Sequence, residues 1–513
     1  MLVRDFLEHS ADNLPEKVAL ICDQQRLTYG QIDRMADRLA DAMMEHGLQR
    51  SDRVGIFLNN SIEAVVGIFA TLKAGGTFVP INPTTKRDKL VYILKNCRAT
   101  GLLVESRQAG LLEEVVGSLP ALEFSILCGS PNLAPQRKFR DGYCALGYDT
   151  IQKEKTAQRP PRVNIDLDLA CLIYTSGTTG DPKGVMCDHS NVVFAASSII
   201  EYIDNVQDDI VIGIPPLSFD YGLYQLLMTF KFGGMLVLER GFAYPAQVLN
   251  RMVEERVTGF PGVPTIFAIL LRMDLSSYDL TSLRYLTNTA AALPPSHIQE
   301  LRDKFPWARL YSMYGLTETK RTLYLPPDQL DKRPGSVGIA IPGTEAWLED
   351  EAGNRLGPGQ VGELVVRGRH VMRGYWEAPE ATAARYRPGP LPGERLCYTG
   401  DLFRQDEEGF FYFVSRKDDI IKSRGEKIAP KEVENVLYML EGVVEAAVIG
   451  VPDPVLGQAL KAFLVISGNE LSETQVLAHC RANLEDFMVP KYVEFRDTLP
   501  KTSSGKIKKT DLI

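Results

Sequence analysis

Short apolar strands alternate with amphipathic helices along most of this sequence, and that alternation limits the folds open to it. Residues 31–48 space their apolar side chains three and four positions apart, and VGIFL at 54–58 follows as a short apolar run. The same alternation recurs at 170–202, 211–238 and 246–287. Strands separated by helices pair in parallel, and the helices cover the sheet. We therefore predict an α/β fold built on parallel sheets.

The pattern changes in the last third of the chain. From about Gly338, short strands are separated by Gly, Asn and Asp turns, which is typical of antiparallel sheet. After Arg416 come a helix, two strands and a second helix that begins at Glu473. A chain of 513 residues also exceeds what one hydrophobic core usually serves. We predict an N-terminal domain of residues 1–416 and a C-terminal domain of residues 417–513.

Charge, cysteine spacing and hydropathy exclude several classes of protein. The formal net charge of −8 argues against a nucleic-acid-binding protein, which normally carries a basic face. The 8 cysteines are scattered without a C-x-x-C pair, so their spacing fits neither a disulfide framework nor a zinc site. The first residues lack the apolar segment of a signal peptide, and no apolar run is long enough to span a bilayer. We expect a cytoplasmic protein without nucleic-acid or membrane partners.

The sharpest local feature is a turn rich in glycine and hydroxyl side chains within residues 172–185. An apolar strand, LACLIY, runs directly into it. Glycines allow backbone N–H groups to converge on an anion, while hydroxyl groups and a lysine add donors and charge. The spacing does not fit a Walker A motif, and a Ser/Thr/Gly-rich surface loop is the alternative interpretation. The candidate phosphate-binding residues are Thr175, Ser176, Gly177, Thr178, Thr179, Gly180 and Lys183.

The segment YTSGTTGDPKGV resembles the phosphate-loop signature of the adenylate-forming (AMP-binding) superfamily, which contains acyl-CoA synthetases and the adenylation enzymes that load carrier proteins. Other motifs of that superfamily occur in the expected order along essentially the whole chain. They are LKAGGTFVPINP at 72–83, TNTAAAL at 287–293, MYGLTET at 313–319, YTGDL at 398–402, RKDDIIKSRGEKIAPKEVE at 416–434 and PKTSSGKI at 500–507. The resemblance implies a large N-terminal domain of two parallel αβ-layered subdomains and a small antiparallel barrel-like subdomain. A small mobile α+β C-terminal domain would follow.

Members of this superfamily activate a carboxylic acid with ATP and Mg²⁺ as an acyl-adenylate and then pass the acyl group to a thiol. Carboxylate and phosphate repel each other, so neutralisation of charge dominates the barrier to adenylation. The resemblance assigns Thr317 to the α-phosphate and Glu318 to the metal, for which a carboxylate is a suitable ligand. It assigns Lys506 to the reacting carboxylate and the new phosphoanhydride. By composition alone, Lys506 is one more solvated lysine of a basic tail.

The resemblance also assigns the remaining nucleotide contacts and the moving parts. Asp401 would accept hydrogen bonds from the ribose hydroxyls, although a turn aspartate after glycine is the alternative. Arg416 would make a second ribose contact. Asp418 falls at the hinge of the C-terminal domain, and Gly425 lines the tunnel for the pantetheine arm, where a side chain would obstruct it. The residues expected to complete the nucleotide site are Tyr314, Gly315, Ala290 and Ala291.

The acyl pocket departs from the pattern of many relatives. Phe219-Asp220 stands where many fatty-acyl and aryl ligases have Phe-His, and an aspartate here neutralises the substrate ammonium group in amino-acid-activating members. A carboxylate facing an apolar pocket would otherwise lack compensation, so we expect an amino or imino acid. The alternative is an Asp220 that faces solvent or caps the next helix.

A second charged position borders the same pocket. Arg321 could pair with a second carboxylate of an acidic β-amino or dicarboxylic acid, or it could form a salt bridge to a neighbouring loop. The pocket is expected to be too small and polar for a long alkyl chain. Its other predicted members are Tyr221, Tyr224, Thr287, Thr289 and Met313.

Two thiol acceptors remain open. The chain shows no carrier-domain or condensation-domain sequence, so we expect the acyl group to pass to coenzyme A or to the phosphopantetheine of a separate carrier protein. With Asp220 as an ammonium partner, a carrier protein is the leading expectation. An acyl-CoA ligase for a small or medium organic acid is the alternative. A luciferase-like oxidation would use the same scaffold, whereas a Rossmann dehydrogenase would need G-x-G-x-x-G after its first strand, which is missing.

Overall fold

The computed structural model describes residues 1–129, 142–175, 182–289, 293–417, 419–423, 426–453, 456–468, 471–484, 488–502 and 506–512. Within these residues the chain forms a large mixed α/β N-terminal domain and a small C-terminal domain, which confirms the predicted fold class. In the described ranges, no helix is both long enough and apolar enough to cross a membrane.

A seven-stranded sheet forms one layer of the N-terminal domain. Its strands are parallel except at one edge, where Leu169–Thr175 and Lys183–Asp188 pair antiparallel on either side of residues 176–181. Parallel strands covered on both faces read as continuous apolar runs, which is how they appear in the sequence. The strand order is Cys144–Gly147, Phe124–Cys128, Ala99–Glu105, Arg53–Phe57, Thr77–Pro80, Leu169–Thr175 and Lys183–Asp188.

A second, fourteen-stranded sheet contains both parallel and antiparallel parts. The two parts join where Arg309–Tyr314 pairs antiparallel with Leu323–Leu325. The antiparallel strands expected after about Gly338 are therefore hydrogen-bonded into the parallel layer. The strand order is Thr344–Glu349, Val361–Gly368, Arg395–Gln405, Phe411–Arg416, Ser336–Ala340, Leu323–Leu325, Arg309–Tyr314, Tyr285–Asn288, Gly259–Gly262, Ile210–Gly213, Met235–Leu238, Val18–Cys22 and Gln25–Thr28, with Tyr386–Pro388 beside Arg395–Gln405.

The C-terminal domain is a smaller five-stranded sheet with its own core. Val443–Asp453 and Gly457–Ile466 form a long antiparallel pair, and Tyr492–Phe495 adds to it in parallel. A separate cluster of buried apolar side chains lies between this sheet and its helices, so the unit has the core that a domain needs. The remaining elements are the strands Ile421–Ser423 and Glu426–Ile428 and the helices Pro430–Tyr438 and Glu473–Asn483.

Several helices of the N-terminal domain begin at side-chain caps. The Asp188 side chain accepts a hydrogen bond from the Asn191 amide, and the Asn191 side chain accepts one from the Asp188 amide. This capping box starts the helix His189–Ile203 directly after a strand. Thr28 starts the helix Tyr29–Glu45 in the same way. Further α-helices are Asp5–Asn13, Ile62–Lys73, Arg87–Asn96, Ala109–Val116, Tyr148–Glu154, Asp220–Phe232, Pro245–Glu254, Pro264–Leu271, Pro295–Lys304 and Pro379–Arg385.

The helix Asp220–Phe232 lies in the interior and carries part of the predicted acyl pocket. Residues 220–230 are all buried, and the helix packs against His189–Ile203. A helix that is buried on all sides belongs to the core rather than the surface. It ends at Gly233, whose φ of 74° is the left-handed conformation that glycine adopts easily. This rigid helix holds Asp220 at its first turn, inside the protein.

Candidate active site

Three neighbouring parallel strands end together at one edge of the long sheet. Gly262 lies opposite Asn288, and Asn288 lies opposite Ser312. Ligands of open α/β sheets bind just beyond such carboxyl ends. The predicted residues at or next to these ends are Thr287, Thr289, Met313 and Tyr314.

A tight turn follows Tyr314 and carries Glu318. The turn is closed by a hydrogen bond of 2.8 Å from the Thr322 amide to the Tyr314 carbonyl oxygen. The backbone approaches itself so closely that a Cβ on Gly315 would lie 1.7 Å from the Lys320 carbonyl oxygen. Only glycine fits at this position, which explains the glycine of the MYGLTET segment.

Glu318 is buried next to the half-buried Thr317, and its carboxylate has a fixed partner. The Tyr375 hydroxyl donates to Glu318 Oε1 at 2.6 Å, and the Met372 amide donates to the Glu318 carbonyl oxygen at 3.0 Å. Among the described residues, no group of three or more His, Cys, Asp or Glu could hold a metal ion by itself. A single carboxylate suits Mg²⁺, which is commonly bound by one or two carboxylates together with phosphates and water. Glu318 fits that role.

Asp401 forms a second polar centre with Tyr314. The Tyr314 hydroxyl donates to Asp401 Oδ2 at 2.7 Å, and Arg416 Nε lies 3.3 Å from Oδ1. Asp401 is 4% exposed, yet its Oδ1 accepts no hydrogen bond from the described part of the chain. Burial raises the pKa of Asp401, and the Arg416 guanidinium acts against that rise. Oδ1 therefore interacts with Arg416 only as an ion pair and can still accept a hydrogen bond from a ligand.

Lys506 reaches this centre from the C-terminal domain. Two hydrogen bonds join Lys506 to Thr502, from the Thr502 amide to the Lys506 carbonyl oxygen at 2.7 Å and from the Lys506 amide to Thr502 Oγ1 at 3.1 Å. Its ammonium group lies within electrostatic range of Asp401, Arg416 and Glu318. The side chain keeps solvent access, yet desolvation by the surrounding protein lowers the pKa of Lys506. A residue of the predicted C-terminal domain therefore acts on this centre through its charge.

Thr175 and Lys183 border the predicted phosphate loop and lie opposite each other across paired strands. Lys183 Nζ is 5.7 Å from the centre of the Tyr375 ring, so this end of the loop lies close to the partner of Glu318. The remaining predicted residues lie outside the described part of the chain. They are Ser176, Gly177, Thr178, Thr179, Gly180, Ala290, Ala291, Asp418 and Gly425.

Asp220 is buried and already paired inside the protein. Lys320 Nζ lies 2.6 Å from Asp220 Oδ1, with 0% of the Lys320 and 8% of the Asp220 side chain exposed. Burial disfavours the charge of Lys320, but the Asp220 carboxylate and nearby groups outweigh that effect and raise the pKa of Lys320. The alternative of a solvent-facing Asp220 is therefore wrong. The argument that Asp220 needs a substrate ammonium group also fails, because Lys320 supplies the compensating charge.

Arg321 is a second buried cation in this pocket, and some of its donors are unused. Its Nη1 lies 3.6 Å from Asp220 Oδ2, and its guanidinium lies over Tyr221 and Tyr224, 4.6 and 5.8 Å from the ring centres. Arg321 Nε and Nη2 and the Tyr224 hydroxyl are buried without a hydrogen-bond partner among the described residues. Lys320 and Arg321 together face one carboxylate, so these three side chains carry one positive charge in excess. Lys320 also donates to the Cys187 sulfur at 3.4 Å.

Hydrogen bonds and ring contacts hold the side chains that are predicted to line the acyl pocket. The Tyr221 hydroxyl donates to the Thr287 carbonyl oxygen at 2.8 Å and lies 2.6 Å from Thr287 Oγ1. The Tyr202 hydroxyl donates to Met313 Sδ at 2.8 Å, and the Tyr202 ring stacks on Tyr324 with ring centres 4.1 Å apart. Thr289 is buried at the end of the strand that carries Thr287. Hydrogen bonds and ring stacking therefore hold these side chains in place.

The sequence reasoning missed two residues near Glu318. Tyr375 belongs to the segment GYW, and Arg385 ends the short helix Pro379–Arg385. From the sequence alone, Tyr375 resembles an ordinary core aromatic residue. Arg385 resembles an ordinary basic side chain in the last turn of a helix, where basic side chains are favoured. Only their long-range contacts distinguish them, and no local signal would have found them.

Family models identify the chain over most of its length. The model of the AMP-binding enzyme family matches residues 7–376, and that of the AMP-binding enzyme C-terminal domain matches residues 432–506. The long-chain-fatty-acid–CoA ligase of Bacillus subtilis (strain 168) is 33% identical, and the alignment covers 100% of this chain and 94% of that protein. Similarity therefore extends over both domains.

Solved structures of similar proteins agree with this assignment. The anthranilate CoA ligase AuaEII in complex with anthranoyl-AMP has a TM-score of 0.90 at 28% identity, covering 100% of this chain and 96% of that chain. The o-succinylbenzoate coenzyme A synthetase MenE of Bacillus subtilis, in complex with ATP and a magnesium ion, has a TM-score of 0.84 at 27% identity, covering 99% and 98%. The chain belongs to the AMP-binding enzyme family and is an ATP-dependent, AMP-forming ligase.

Proposed function

We propose that this ligase joins a small carboxylic acid with a second anionic group to coenzyme A, through an acyl-adenylate. The buried cluster of Asp220, Lys320 and Arg321 carries the proposal, because it holds one more positive charge than it neutralises. A buried charge is costly unless it is paired and hydrogen-bonded. A carboxylate on the substrate would supply the missing charge and would accept hydrogen bonds from Arg321 Nε and Nη2, which lack partners among the described residues.

The same cluster argues against a long alkyl chain. Arg321 lies over the rings of Tyr221 and Tyr224, so cations and phenol groups line this part of the pocket. An alkyl chain against Arg321 would exclude water without replacing its hydrogen bonds, at a cost of about 1–3 kcal/mol for each buried group left unpaired. The Bacillus subtilis ligase that is 33% identical is named for long-chain fatty acids. We expect this enzyme to activate a different class of carboxylic acid.

An acidic β-amino acid is the second candidate substrate. Asp220 lies beside Lys320 and Arg321 in the same pocket, and its two oxygens could accept a further hydrogen bond from an ammonium group. Such an acid would place its second carboxylate near the cations and its ammonium group near Asp220. A dicarboxylic acid lacks the ammonium group, so Asp220 would remain paired with Lys320 alone on its Oδ1 side.

The nucleotide half of the site is proposed to bind ATP with Mg²⁺, in agreement with the ATP and magnesium complex of MenE. Asp401 Oδ1 accepts no hydrogen bond in the described part of the chain and would accept one from a ribose hydroxyl, with Arg416 beside it. Thr317 would hydrogen-bond the α-phosphate, and Lys183 would add charge near the phosphate loop. When bound at Glu318, Mg²⁺ would supply positive charge against the phosphates.

Lys506 is proposed to lower the repulsion between the reacting anions. A carboxylate oxygen attacks the α-phosphorus, the new P–O bond forms as the bond to pyrophosphate breaks, and pyrophosphate leaves with the bonding electron pair. The charges of Asp401 and Glu318 act on Lys506, which supports a role at the α-phosphate between the ribose and the metal. Its ammonium group could hydrogen-bond both the carboxylate and the α-phosphate in the transition state.

Coenzyme A is the acceptor that we propose. The preference for a carrier protein depended on Asp220 as a free ammonium partner, and the ion pair with Lys320 removes that reason. The relatives described above are named as CoA ligases or synthetases. In the second half-reaction the thiolate attacks the acyl carbonyl and AMP leaves, and Lys506 must withdraw to admit it. A boundary between residues 416 and 417, with the hinge at Asp418 and the tunnel at Gly425, would permit that movement.

The proposal is tested by acid-dependent exchange of pyrophosphate into ATP. The panel contains small dicarboxylic acids, acidic β-amino acids, monocarboxylic acids of matched length and long-chain fatty acids. We expect exchange with one of the first two classes and little with the others. Mass detection of an acyl-CoA after addition of CoA tests the acceptor. Pyrophosphate exchange with long-chain fatty acids only would overturn the proposed class of substrate. Pyrophosphate exchange with no acyl-CoA product would favour a carrier protein as the acceptor.

The variant Arg321→Gln tests the role of the excess charge. Loss of one partner of a buried ion pair costs about 2–5 kcal/mol, which predicts a fall in kcat/KM of roughly 30-fold or more for the preferred acid. The matched monocarboxylic acid, which makes no such pair, should lose less. Equal losses for both acids would show that Arg321 does not recognise a second anionic group.

A further inference from the structure

Tyr375 is built into the nucleotide site by its backbone as well as by its hydroxyl. Residues 373–376 run beside the strand Lys183–Asp188, with hydrogen bonds of 2.9 Å from the Met186 amide to the Gly374 carbonyl oxygen and 2.7 Å from the Trp376 amide to the Gly184 carbonyl oxygen. The strand begins at the end of the phosphate loop. The segment that carries Tyr375 is therefore fixed to the element that follows that loop.

The helix Pro379–Arg385 holds Tyr375 from the other side. The Tyr375 amide donates to Thr382 Oγ1 at 3.0 Å, and the Tyr375 ring meets Tyr386 edge to face with centres 5.8 Å apart. From this position the Tyr375 hydroxyl donates to Glu318 Oε1 at 2.6 Å. A carboxylate with one oxygen engaged in a short hydrogen bond has little freedom to rotate, and its other oxygen then has a defined direction.

Arg385 connects the same group to the segment that carries Asp401. Arg385 Nη1 donates to the Tyr398 carbonyl oxygen at 3.0 Å. A Cβ on Gly400, whose φ is +69°, would lie 2.7 Å from that nitrogen, so the glycine leaves room for the guanidinium. The positive charge of Arg385 acts on Glu318, on Tyr375 and on Asp401. One half-buried cation thus acts on both the proposed metal-binding and the proposed ribose-binding carboxylate.

We propose that Tyr375 and Arg385 are positioning residues that hold Glu318 in the orientation needed for Mg²⁺ and keep it in register with the ribose-binding segment at Asp401. The proposal rests on the metal role of Glu318 given above. Residues that hydrogen-bond a metal ligand commonly change metal affinity or activity by 10- to 100-fold when they are replaced. Tyr375 acts directly on Glu318, and Arg385, held by its hydrogen bond to the Tyr398 carbonyl oxygen, supports the pair through its charge.

The variant Tyr375→Phe removes only the hydroxyl and keeps the ring. Its matched control is Tyr386→Phe, because Tyr386 packs against the same ring and its buried hydroxyl has no hydrogen-bond partner in the described part of the chain. The measurement is ATP affinity by titration calorimetry with and without Mg²⁺. We expect Tyr375→Phe to reduce the gain in affinity on addition of Mg²⁺ by about tenfold. The affinity of Tyr375→Phe for ATP without Mg²⁺ should stay within twofold of the wild-type affinity, and Tyr386→Phe should behave as the wild type in both conditions.

A second measurement shows whether Tyr375 acts through Glu318. In a Glu318→Gln background the Mg²⁺-dependent gain should already be lost, and Tyr375→Phe should then have no further effect. An equal effect of Tyr375→Phe in both backgrounds would overturn the inference. A Glu318→Gln variant with the full Mg²⁺-dependent gain would instead refute the metal role of Glu318. If Glu318→Gln loses that gain while Tyr375→Phe matches the control, only the positioning role fails.

Arg385 is tested by a pair of variants that separates charge from packing. Arg385→Lys keeps a cation at this position and should retain most of the Mg²⁺-dependent gain in ATP affinity. In Arg385→Gln that gain should be several-fold smaller. Thermal unfolding midpoints of both variants identify any general loss of the fold. Identical behaviour of the two variants at equal stability would contradict a role for the charge of Arg385.

Discussion

The pair of Asp220 and Lys320 gives a stability prediction that depends on no substrate. The two charged groups are 2.6 Å apart, and their side chains are 8% and 0% exposed. In Asp220→Asn the carboxylate is lost while Lys320 and Arg321 remain buried. Breaking a buried pair from one side costs about 3–5 kcal/mol, because an uncompensated charge stays in the interior. We expect a loss of that size in the free energy of unfolding.

Urea denaturation followed by tryptophan fluorescence measures this loss. The 3 tryptophans, Trp307, Trp347 and Trp376, all lie in the N-terminal domain, which also contains the pair. The double variant Asp220→Asn/Lys320→Met removes both charges and should be more stable than Asp220→Asn alone. If Asp220→Asn unfolds within about 1 kcal/mol of the wild type, Lys320 does not need Asp220 as a charge partner.

Three further predictions concern other parts of the N-terminal domain. Burial lowers the pKa of His370 to about 3, so the folded protein keeps it neutral while the unfolded chain binds a proton below about pH 6.5. Stability should fall as the pH drops from 6.5 towards 3, and His370→Gln should reduce that slope by up to about 1.4 kcal/mol per pH unit in denaturation experiments; an unchanged slope would contradict this. Gly315→Ala would place a Cβ 1.7 Å from the Lys320 carbonyl oxygen, so it should abolish acid-dependent pyrophosphate exchange, and full exchange would show that the turn can adapt. Asp401→Asn loses a charged acceptor worth about 1.5–3 kcal/mol, so calorimetry should show AMP binding weakened by roughly tenfold or more; unchanged affinity would remove Asp401 from the ribose site.

The sequence predicts best those features that local backbone geometry demands. Gly315 and its turn are required because the chain folds back on itself within a few residues, so a short motif records the constraint. The strand–helix alternation likewise indicates the parallel sheets, since burial on both faces leaves apolar runs. Element type and order were therefore predictable before any long-range contact was known.

Long-range pairing is what the sequence could not supply. Asp220 and Lys320 are separated by 100 positions, and their contact depends on the left-handed conformation of Lys320, whose φ is 55°. Without that pairing, Asp220 seemed to need a substrate charge. Tyr375 and Arg385 were missed for the same reason, because their partners lie on distant segments. The continuity of the long sheet through Leu323–Leu325 also depends on pairing that no local pattern records.

Comparison of the two half-reactions in Lys506→Ala isolates the contribution of Lys506 to adenylation. We propose that Lys506, on which the charges of Asp401 and Glu318 act, makes a carboxylate react with ATP. We predict that Lys506→Ala loses acyl-AMP formation from acid and ATP by at least 100-fold, while supplied acyl-AMP still yields acyl-CoA at nearly the wild-type rate. Acyl-AMP production at the wild-type rate by Lys506→Ala would contradict this proposal.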